Sequence, residues 1–278
     1  MTDDAQAQLD KARAWWNTQI IDIHPGSIGI RGYPIQELIG RLSFPEMIWL
    51  MIRGERPSPQ QGELLEAALV ASVDHGPHAP SIAIARMAVT CGVDLNNAMA
   101  SGINVLGDIH GGPGQQCMEL YAEISAVAGN ASDLQAITDR VLEGFIARQG
   151  KIIPGFGHRF HPVDPRVAPL LALVDRAASD GVVAGSYARI GREVEAAIAK
   201  RTGKPIPMNI DGVTAVIFSE LGFPPPMGRG LFILSRSVGI LAHAWEQMQR
   251  QERIKGPMPK DIPYTYSGPE PRALDPDR

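Results

Sequence analysis

Helix start and stop signals recur along almost the whole chain, and they limit the fold more than any other feature of the sequence. Ser43-Phe44-Pro45-Glu46 combines a capping-box serine and glutamate with proline in the first helical turn, and Ser58-Pro59 repeats this start. After Ser58, apolar and small residues recur every three or four positions, which is the spacing of one buried helix face. That face comprises Leu64, Leu65, Ala68, Leu69 and Ser72. The chain is therefore predicted to be mostly helical.

Further helices are predicted downstream from polar residues that stand before apolar periodic stretches. The predicted starts are Ser132, Asp164 and Ser186, and Asp211 stands where a helix N-cap belongs. Gly222 and three consecutive prolines then predict a stop, and a last long helix is predicted over about residues 227–253.

Strand signals are confined to residues 19–33, where two short apolar runs flank Pro25-Gly26 and predict a small hairpin. The sequence therefore has too few strand signals for an α/β fold. It also has no internal repeat at solenoid periods. The tail over residues 254–278 carries six prolines, which forbid a helix and favour an extended arm.

Composition excludes several classes of protein. The 278 residues carry a formal net charge of −4, which argues against a general binder of nucleic acid or anionic membranes, so an anionic ligand must be met by a few placed arginines. Cys91 and Cys117 lack the spacing of a thiolate zinc site or a disulfide framework, so a cytoplasmic location is expected. The acidic N-terminus and the short apolar run at residues 47–52 predict neither a signal peptide nor a membrane segment.

Acids, bases and arginines stand on four turns that are marked by glycine or proline. Glycine beside histidine removes a side chain that would screen the imidazole and lets backbone N–H groups approach a ligand. Such turns are typical of a functional site rather than a core. They are Asp74-His75-Gly76-Pro77, His110-Gly111-Gly112, Pro154-Gly155-Phe156-Gly157-His158 followed by Asp164-Pro165-Arg166, and Asn209-Ile210-Asp211-Gly212.

Each of these residues also has a structural interpretation. A single histidine is more often structural than catalytic, which is how His24 and His243 are interpreted. A zinc site of three histidines is a competing hypothesis, but none of the three stands two or four residues from another, so no metal is predicted. Asp211 could simply be a helix N-cap without a catalytic role, and Arg166 could be a surface charge. Arg236 lies in an apolar helical stretch and needs an anionic partner. Gly155-x-Gly157 is too short for a Rossmann fingerprint.

Taken together, these segments resemble, in the same order, the active-site segments of citrate synthases. The segments are Asp74-His75-Gly76, Leu106-Gly107-Asp108-Ile109-His110-Gly111-Gly112, residues 154–166, Asn209-Ile210-Asp211 and the helical residues 231–247. Within that superfamily the chain is most similar to citryl-CoA lyases, including the citryl-CoA lyase module of ATP-citrate lyase. The segments behind this closer resemblance are residues 73–77, Gly157-His158-Arg159, residues 209–212 and Lys260-Asp261-Ile262-Pro263-Tyr264.

The resemblance implies an all-α, two-domain fold with the active site in the cleft between the domains. Residues 1–109 and 223–278 would form the large helical domain with the C-terminal arm, and residues 110–222 the small helical domain. A homodimer, or a higher homo-oligomer, would be the functional unit.

The resemblance also assigns roles to individual residues. The catalytic residues would be His110, His158 and Asp211; the substrate-binding residues would be His75, Arg166 and Arg236; and the CoA-binding residues would be Gly155, Phe156, Gly157 and Arg159. A coenzyme A thioester would be substrate or product, a dicarboxylate or tricarboxylate the second ligand, and no cofactor would be bound permanently. Breaking a C–C bond beside a thioester requires these kinds of groups, namely a proton carrier at carbon, a donor to the enolate oxygen and a second proton carrier at the alcohol.

The implied activity is cleavage of citryl-CoA, or of a related 3-hydroxy-3-carboxyacyl-CoA such as citramalyl-CoA, to acetyl-CoA and a 2-oxo acid such as oxaloacetate. Two alternatives stay open: a compact citrate or methylcitrate synthase, and a non-catalytic acyl-CoA-binding subunit. The chain departs from many synthases at Val73, where they carry histidine, and at Lys255-Gly256-Pro257, which replaces an Arg-Pro pair that reaches the partner's site. Arg253, Lys255 or Lys260 could substitute for that arginine.

Overall fold

A computed structural model describes residues 3–129, 133–159, 161–259 and 261–274 of the chain. About 60% of it is helical, which confirms the all-α prediction. The helices are α1 (Asp3–Trp15), α2 (Ile35–Leu38), α3 (Phe44–Arg53), α4 (Pro59–Ser72), α5 (Pro80–Thr90), α6 (Leu95–Asn104), α7 (Pro113–Ala128), α8 (Leu134–Gln149), α9 (Val167–Ser179), α10 (Ser186–Thr202), α11 (Ile210–Glu220) and α12 (Pro225–Gln249). Among the helices of the described residues, none is long and apolar enough to cross a membrane.

The predicted hairpin is present near the N-terminus. Strands β1 (Ile21–His24) and β2 (Ser27–Ile30) pair in antiparallel fashion around the Pro25-Gly26 turn, where Gly26 has a φ of 78°. A third strand, β3 (Tyr33–Pro34), pairs with the other side of β2 and was not predicted. Its two residues are too few to give an alternating apolar pattern, so the sequence carries no signal for it.

Both predicted capping boxes are confirmed. Ser43 Oγ accepts the N–H of Glu46, whose carboxylate accepts the N–H of Ser43 at 2.7 Å, and Ser58 and Gln61 form the same pair. The predicted face of α4 is also buried, because all five of its members are at most 9% exposed. Local cap chemistry and periodicity were therefore sufficient to predict α3 and α4.

Two predicted boundaries differ from the structure, and a third lies outside the described residues. Ser132, the expected start of α8, lies outside the described residues, and Asp133 caps this helix by accepting the N–H of Ala136 at 2.9 Å. Helix α12 begins at Pro225 rather than about residue 227, because proline is tolerated in a first turn whose N–H groups have no partner within the helix. It ends at Gln249 rather than at about residue 253. The described part of the tail contains no helix, as predicted, and Lys260 lies outside the described residues.

By their packing the residues form two compact units. The first comprises Met1–Asp74 and Leu106–Val238, and the second comprises His75–Val105 and Gly239–Arg278. These bounds describe packing within one chain. The division into large and small domains at residues 109/110 and 222/223 stays a prediction.

Helix α11 lies at the centre of the first unit. It packs against α4, α7, α9 and α10, and its residues from Gly212 to Phe218 are all buried. A helix that is apolar on every side must be surrounded by other helices. Its N-terminus, which carries Asp211, is therefore held by the core of this unit.

Helix α10 shows how a distant carboxylate can cap a helix. Ser186 is its first residue and Gly185 its N-cap position, but neither side chain provides the cap. The carboxylate of Glu220, at the end of α11, accepts the N–H groups of Gly185, Tyr187 and Ala188 at 2.6–3.2 Å. Negative charge at a helix N-terminus is favourable, so this contact ties α10 to α11.

The second unit is built on α5 and α6, which pack closely. A Cβ atom added at Gly102 would lie 2.8 Å from the carbonyl oxygen of Ser81, so only glycine allows this approach. Arg86 donates to Glu246 at 3.0 Å and to Gln247 at 2.8 Å. The start of the C-terminal tail is attached here, because Ile254 N–H donates to Thr90 O at 2.9 Å.

Candidate active site

Asp211 lies in the first turn of α11, and it is not the N-cap of that helix. Asn209 takes this position, because its Oδ1 accepts the N–H groups of Asp211 at 2.9 Å and Gly212 at 3.2 Å. The prediction that Asp211 stands at the N-cap is therefore wrong by two residues. Since Asn209 satisfies the helix end, the Asp211 carboxyl is not needed for capping.

The surroundings of the Asp211 carboxyl have opposing effects on its pKa. Burial raises its pKa, Arg236 and Arg166 act to lower it, Asp164 acts to raise it, and the net result is a raised pKa. A carboxyl with a raised pKa is more readily protonated near neutral pH than an exposed one. Such a group is suited to proton transfer.

The loop that was predicted to bind CoA lies directly against the start of α11. Gly155 O accepts the N–H of Asn209 at 2.9 Å, and Gly157 O accepts the Asn209 side-chain amide at 2.6 Å. Gly157 N–H donates to Pro207 O at 2.7 Å, and Phe156 forms an isolated antiparallel bridge with Met208. This short ladder fixes residues 155–157 relative to Asp211.

Two glycines allow this contact. Gly155 has a φ of 87°, and a Cβ atom added to it would lie 2.8 Å from Gly212 Cα and 2.6 Å from Cys117 Sγ. A Cβ atom added at Gly212 would lie 2.6 Å from Met208 Cγ and would meet the Gly155 carbonyl oxygen. The loop backbone therefore packs on the helix backbone with no room for a side chain at either position.

We expect Gly155→Ala to disturb the loop more than its backbone angle alone explains. Gly181→Ala is the matched control, because Gly181 has a φ of 71° and an added Cβ atom would have no neighbour within 4 Å. Both variants carry the cost of a left-handed residue, about 1 kcal/mol, and overpacking is expected to add about 1–3 kcal/mol at Gly155 only. Urea unfolding of both variants measures the difference, and equal losses would contradict the packing described above.

His110 lies in the turn between α6 and α7. Gly111 has a φ of 108°, and a Cβ atom added at Gly112 would lie 2.7 Å from Asp108 Cα. A Cβ atom added at Gly114, in the first turn of α7, would be 3.9 Å from Asp211 Oδ1. The His110 turn therefore leads directly into the helix end that faces Asp211.

The surroundings of the His110 ring favour its neutral form. Burial lowers its pKa, and the positive charge of Arg236 lowers it further. A neutral imidazole keeps one N–H donor and does not carry a full charge, which suits hydrogen bonding to an oxygen that becomes negative.

His158 follows the loop at residues 155–157, and its surroundings also favour the neutral ring. Its Nδ1 accepts the N–H of His161 at 3.1 Å, so the neutral ring carries its proton on Nε2. Burial lowers its pKa, as do His161 and Arg166, against an opposing effect of Asp164. Arg159, the next residue, is exposed.

Two arginines meet backbone carbonyls at the end of α4. Arg166 donates through Nε and Nη2 to the Asp164 carboxylate at 2.9 and 2.8 Å, and through Nη1 to Ala71 O at 3.3 Å. Arg236 is only 4% exposed, and its Nε donates to Ser72 O at 3.2 Å. Its guanidinium carbon stands 4.9 Å from the centre of the Phe232 ring.

Arg236 has the anionic neighbours that its apolar helix requires. Burial lowers its pKa, while Asp211 and Asp74 act to raise it.

Among the predicted site residues, His110, His158, Arg166, Asp211 and Arg236 belong to the first unit. His75 is exposed and belongs to the second unit, so its place in the site stays a prediction.

Sequence reasoning missed an apolar pocket beside Phe156. Its volume is about 490 Å³, and its lining includes two basic residues. The lining residues are Leu142, Ile146, Lys151, Ile152, Ile153, Phe156, Ile198, Arg201, Thr202 and Ile206. The sequence signal for this pocket was the run of basic and apolar residues just before Pro154.

In the part of the chain that the structure describes, no three histidine, cysteine or acidic side chains form a group that could hold a metal ion.

The chain belongs to the citrate synthase family, a class that agrees with the helical fold described above. Residues 51–257 match the family model described as "Citrate synthase, C-terminal domain". This confirms the family that the motifs indicated.

Among individual proteins, the chain is similar to the citryl-CoA lyase of Hydrogenobacter thermophilus. The two are 30% identical with a TM-score of 0.81, and the match covers 94% of this chain and 98% of the lyase. The citrate synthase of Acidithiobacillus ferridurans is 30% identical over 233 residues, which are 81% of this chain and 55% of that enzyme. This chain therefore spans about half the length of the curated relatives that it matches.

A solved citrate synthase extends the comparison. The enzyme of Thermoplasma acidophilum, solved as a ternary complex with carboxymethyl coenzyme A and oxaloacetate, is 26% identical with a TM-score of 0.68. The match covers 84% of this chain and 59% of that one. The similarities confirm the citrate synthase-like fold and include both lyases and synthases.

Proposed function

We propose that this chain is a citryl-CoA lyase-like enzyme. It cleaves citryl-CoA, or a related 3-hydroxy-3-carboxyacyl-CoA such as citramalyl-CoA, to acetyl-CoA and a 2-oxo acid such as oxaloacetate. One observation carries the choice of lyase over synthase: the TM-score is 0.81 with the similar lyase and 0.68 with the similar solved citrate synthase.

The proposed reaction uses three proton-handling groups of the first unit. His158 takes the proton of the tertiary hydroxyl, the C–C bond breaks, and the hydroxyl carbon becomes the ketone of the 2-oxo acid. The electron pair of the broken bond forms the enolate of acetyl-CoA, whose oxygen accepts a hydrogen bond from neutral His110. Asp211, whose pKa is raised, then delivers its proton to the enolate carbon.

The tautomer of His158 adds a requirement to this scheme. In the structure Nδ1 accepts the N–H of His161, so Nε2 carries the proton. Taking the hydroxyl proton at Nε2 requires the other neutral tautomer, with the proton on Nδ1. We therefore propose that the contact between His158 and the His161 N–H opens when the substrate binds.

Arginines are proposed to hold the carboxylates of the acid. Planar guanidinium groups suit carboxylates, and Arg236 is buried beside Asp211, where it brings a positive charge close to the reacting carbon. Arg166 already donates hydrogen bonds from Nε and Nη2 to the Asp164 carboxylate. A substrate carboxylate would therefore accept from its remaining N–H groups. His75 is proposed to complete this group.

The CoA part is proposed to bind at the loop formed by Gly155, Phe156 and Gly157, with Arg159 beside it. The adjoining pocket is mostly apolar and includes Lys151 and Arg201, which could meet phosphates. Because the net charge of the chain is −4, such local basic residues are needed for an anionic ligand.

Assembly and location are further parts of the proposal. Several apolar side chains of the tail are exposed, including Ile254, Ile262 and Tyr264, the last at 92%. We propose that a second copy of the chain covers them in a homodimer or a higher homo-oligomer. A cytoplasmic location, and the absence of nucleic-acid, membrane, metal and permanent cofactor binding, stay predictions.

A compact citrate or methylcitrate synthase is the second candidate. It is favoured by the similar citrate synthases, and the same groups could run the condensation in reverse. The difference is hydrolysis of the thioester, which a synthase completes and a lyase must avoid.

Two incubations of the purified chain separate these candidates. One contains citryl-CoA, the other contains acetyl-CoA with oxaloacetate, and free thiol is followed in both, with Asp211→Asn as the blank. Cleavage of citryl-CoA that retains the thioester supports the lyase. Thiol release in the second mixture supports the synthase, and no reaction in either mixture overturns both and favours the acyl-CoA-binding subunit.

A further inference from the structure

Asp164 is a buried carboxylate for which the proposed reaction has no role. Its side chain is 0% exposed. Oδ1 accepts the backbone N–H of Arg166 at 3.1 Å and the Arg166 Nε–H at 2.9 Å, and Oδ2 accepts Arg166 Nη2–H at 2.8 Å and the N–H of Ile210 at 3.0 Å. Four donors thus converge on one side chain.

These contacts keep Asp164 ionised. Burial acts to raise its pKa, but the hydrogen bonds from Arg166 and Ile210 and the Arg166 charge outweigh it and hold the pKa at about 2. A carboxylate in this state cannot act as an acid or base near neutral pH. Its role must therefore come from what it holds in place.

The two partners of Asp164 belong to different parts of the site. Ile210 is the first residue of α11 and directly precedes Asp211. The Arg166 guanidinium, oriented by two parallel hydrogen bonds, also contacts Ala71 O. A bidentate pair of this kind fixes the direction of the guanidinium as well as its position.

We propose that Asp164 is a positioning residue, which sets the proton-transfer carboxyl of Asp211 and the anion-binding guanidinium of Arg166 in one fixed arrangement. The proposal rests on the proposed function. It assigns Asp164 no contact with substrate. It does predict that substrate binding and proton transfer change together when the charge of this carboxylate is removed.

The charge of Asp164 has a second, measurable effect. It acts to raise the pKa of Asp211, whereas Arg166 acts to lower it. An Asp164→Asn variant removes the negative charge and leaves the positive one, so the pKa of Asp211 should fall. Cleavage needs protonated Asp211, so its rate should decline at a lower pH in the variant than in the parent.

Two variants at position 164 and one control test this arrangement. Asp164→Asn keeps the shape but presents an NH₂ group to N–H donors, and Asp164→Glu keeps the charge but moves it by one methylene. Asp175→Asn is the control, because Asp175 pairs with Arg192 at 2.7 Å in the same unit and both side chains are about half exposed. Kinetics of citryl-CoA cleavage across pH, with circular dichroism to establish folding, are measured for all three.

We expect Asp164→Asn to raise KM about tenfold and to move the high-pH decline to lower pH, because a charge-assisted contact is lost. Asp164→Glu should keep the parent pH profile but not the parent KM, and the control should match the parent in both. A folded Asp164→Asn with parent KM and parent pH profile overturns the proposal. If this variant does not fold, an Asp164→Glu with parent KM overturns it equally.

Failure of the proposed function can be distinguished from failure of the positioning role of Asp164. If the parent cleaves no citryl-CoA, the proposed function fails, and a carbon-13 NMR titration of the Asp211 carboxyl still tests the arrangement without substrate. A lower pKa of Asp211 in Asp164→Asn than in the parent supports the positioning role, and an unchanged pKa overturns it.

Discussion

Replacing Asp211 by asparagine is expected to lower the turnover of citryl-CoA cleavage by about two orders of magnitude or more. The amide has nearly the shape of the carboxyl but cannot deliver a proton to the enolate carbon. His110→Ala and His158→Ala are expected to have effects of similar size, because each removes a group that acts on the reacting atoms. Steady-state kinetics at matched protein concentration measure the loss, and near-parent turnover of Asp211→Asn would overturn the assigned mechanism.

The same substitution is expected not to destabilise the fold at neutral pH. The folded-state pKa of Asp211 is raised, so the stability it contributes is fully present below the unfolded-state pKa and is lost as pH rises through the folded-state value. Asparagine avoids the ionised form that causes this loss. Urea unfolding should therefore show Asp211→Asn at least as stable as the parent at neutral pH, with its relative advantage shrinking in acid. A clear loss of stability would mean that the carboxylate is structural.

Replacing Arg236 by alanine is expected to weaken binding of the dicarboxylate product by about 2 kcal/mol or more, which is roughly 30-fold. Arg236 is 4% exposed, so its charge acts where water screens it little. CoA affinity should change little, since no predicted CoA-binding residue contacts Arg236 in the described interactions. Calorimetric titration with oxaloacetate and with CoA separates the two effects.

Arg192→Ala provides the control for this variant. Arg192 pairs with Asp175 on the surface with its side chain 45% exposed, so its loss should alter neither affinity. An equal loss of oxaloacetate and CoA affinity in Arg236→Ala would indicate a collapsed site or a phosphate-binding arginine instead.

Local signals in the sequence predicted much of the fold. The capping boxes at Ser43 and Ser58 act within four residues, and the hairpin around Gly26 depends on a two-residue turn, so neither needs information from distant residues. The start of α12 was predicted too late because prolines were interpreted as a stop. Proline also suits a first helical turn, and sequence alone does not separate these uses.

The contacts that hold the candidate site together were harder to predict. Motif resemblance named Asp211, Arg166 and Arg236. Helix start signals, considered separately, placed the N-cap at Asp211, although Asn209, two residues earlier, is an equally good cap. The carboxylate of Asp164 reaches an N–H 46 residues away, and that of Glu220 caps a helix that begins more than 30 residues earlier. Such pairs depend on how helices pack, which periodicity does not report.

The contact between the backbones of Gly155 and Gly212 limits how this chain could be re-engineered. A side chain added at either position meets main-chain atoms of the other, so no compensating replacement at the partner position can make room for it. The two sites should therefore resist diversification in a selection experiment, singly and as a pair. Variation that changes how the CoA part is bound should instead accumulate among the side chains lining the neighbouring pocket, such as Ile152 and Ile206, where volume can be exchanged without moving the chain.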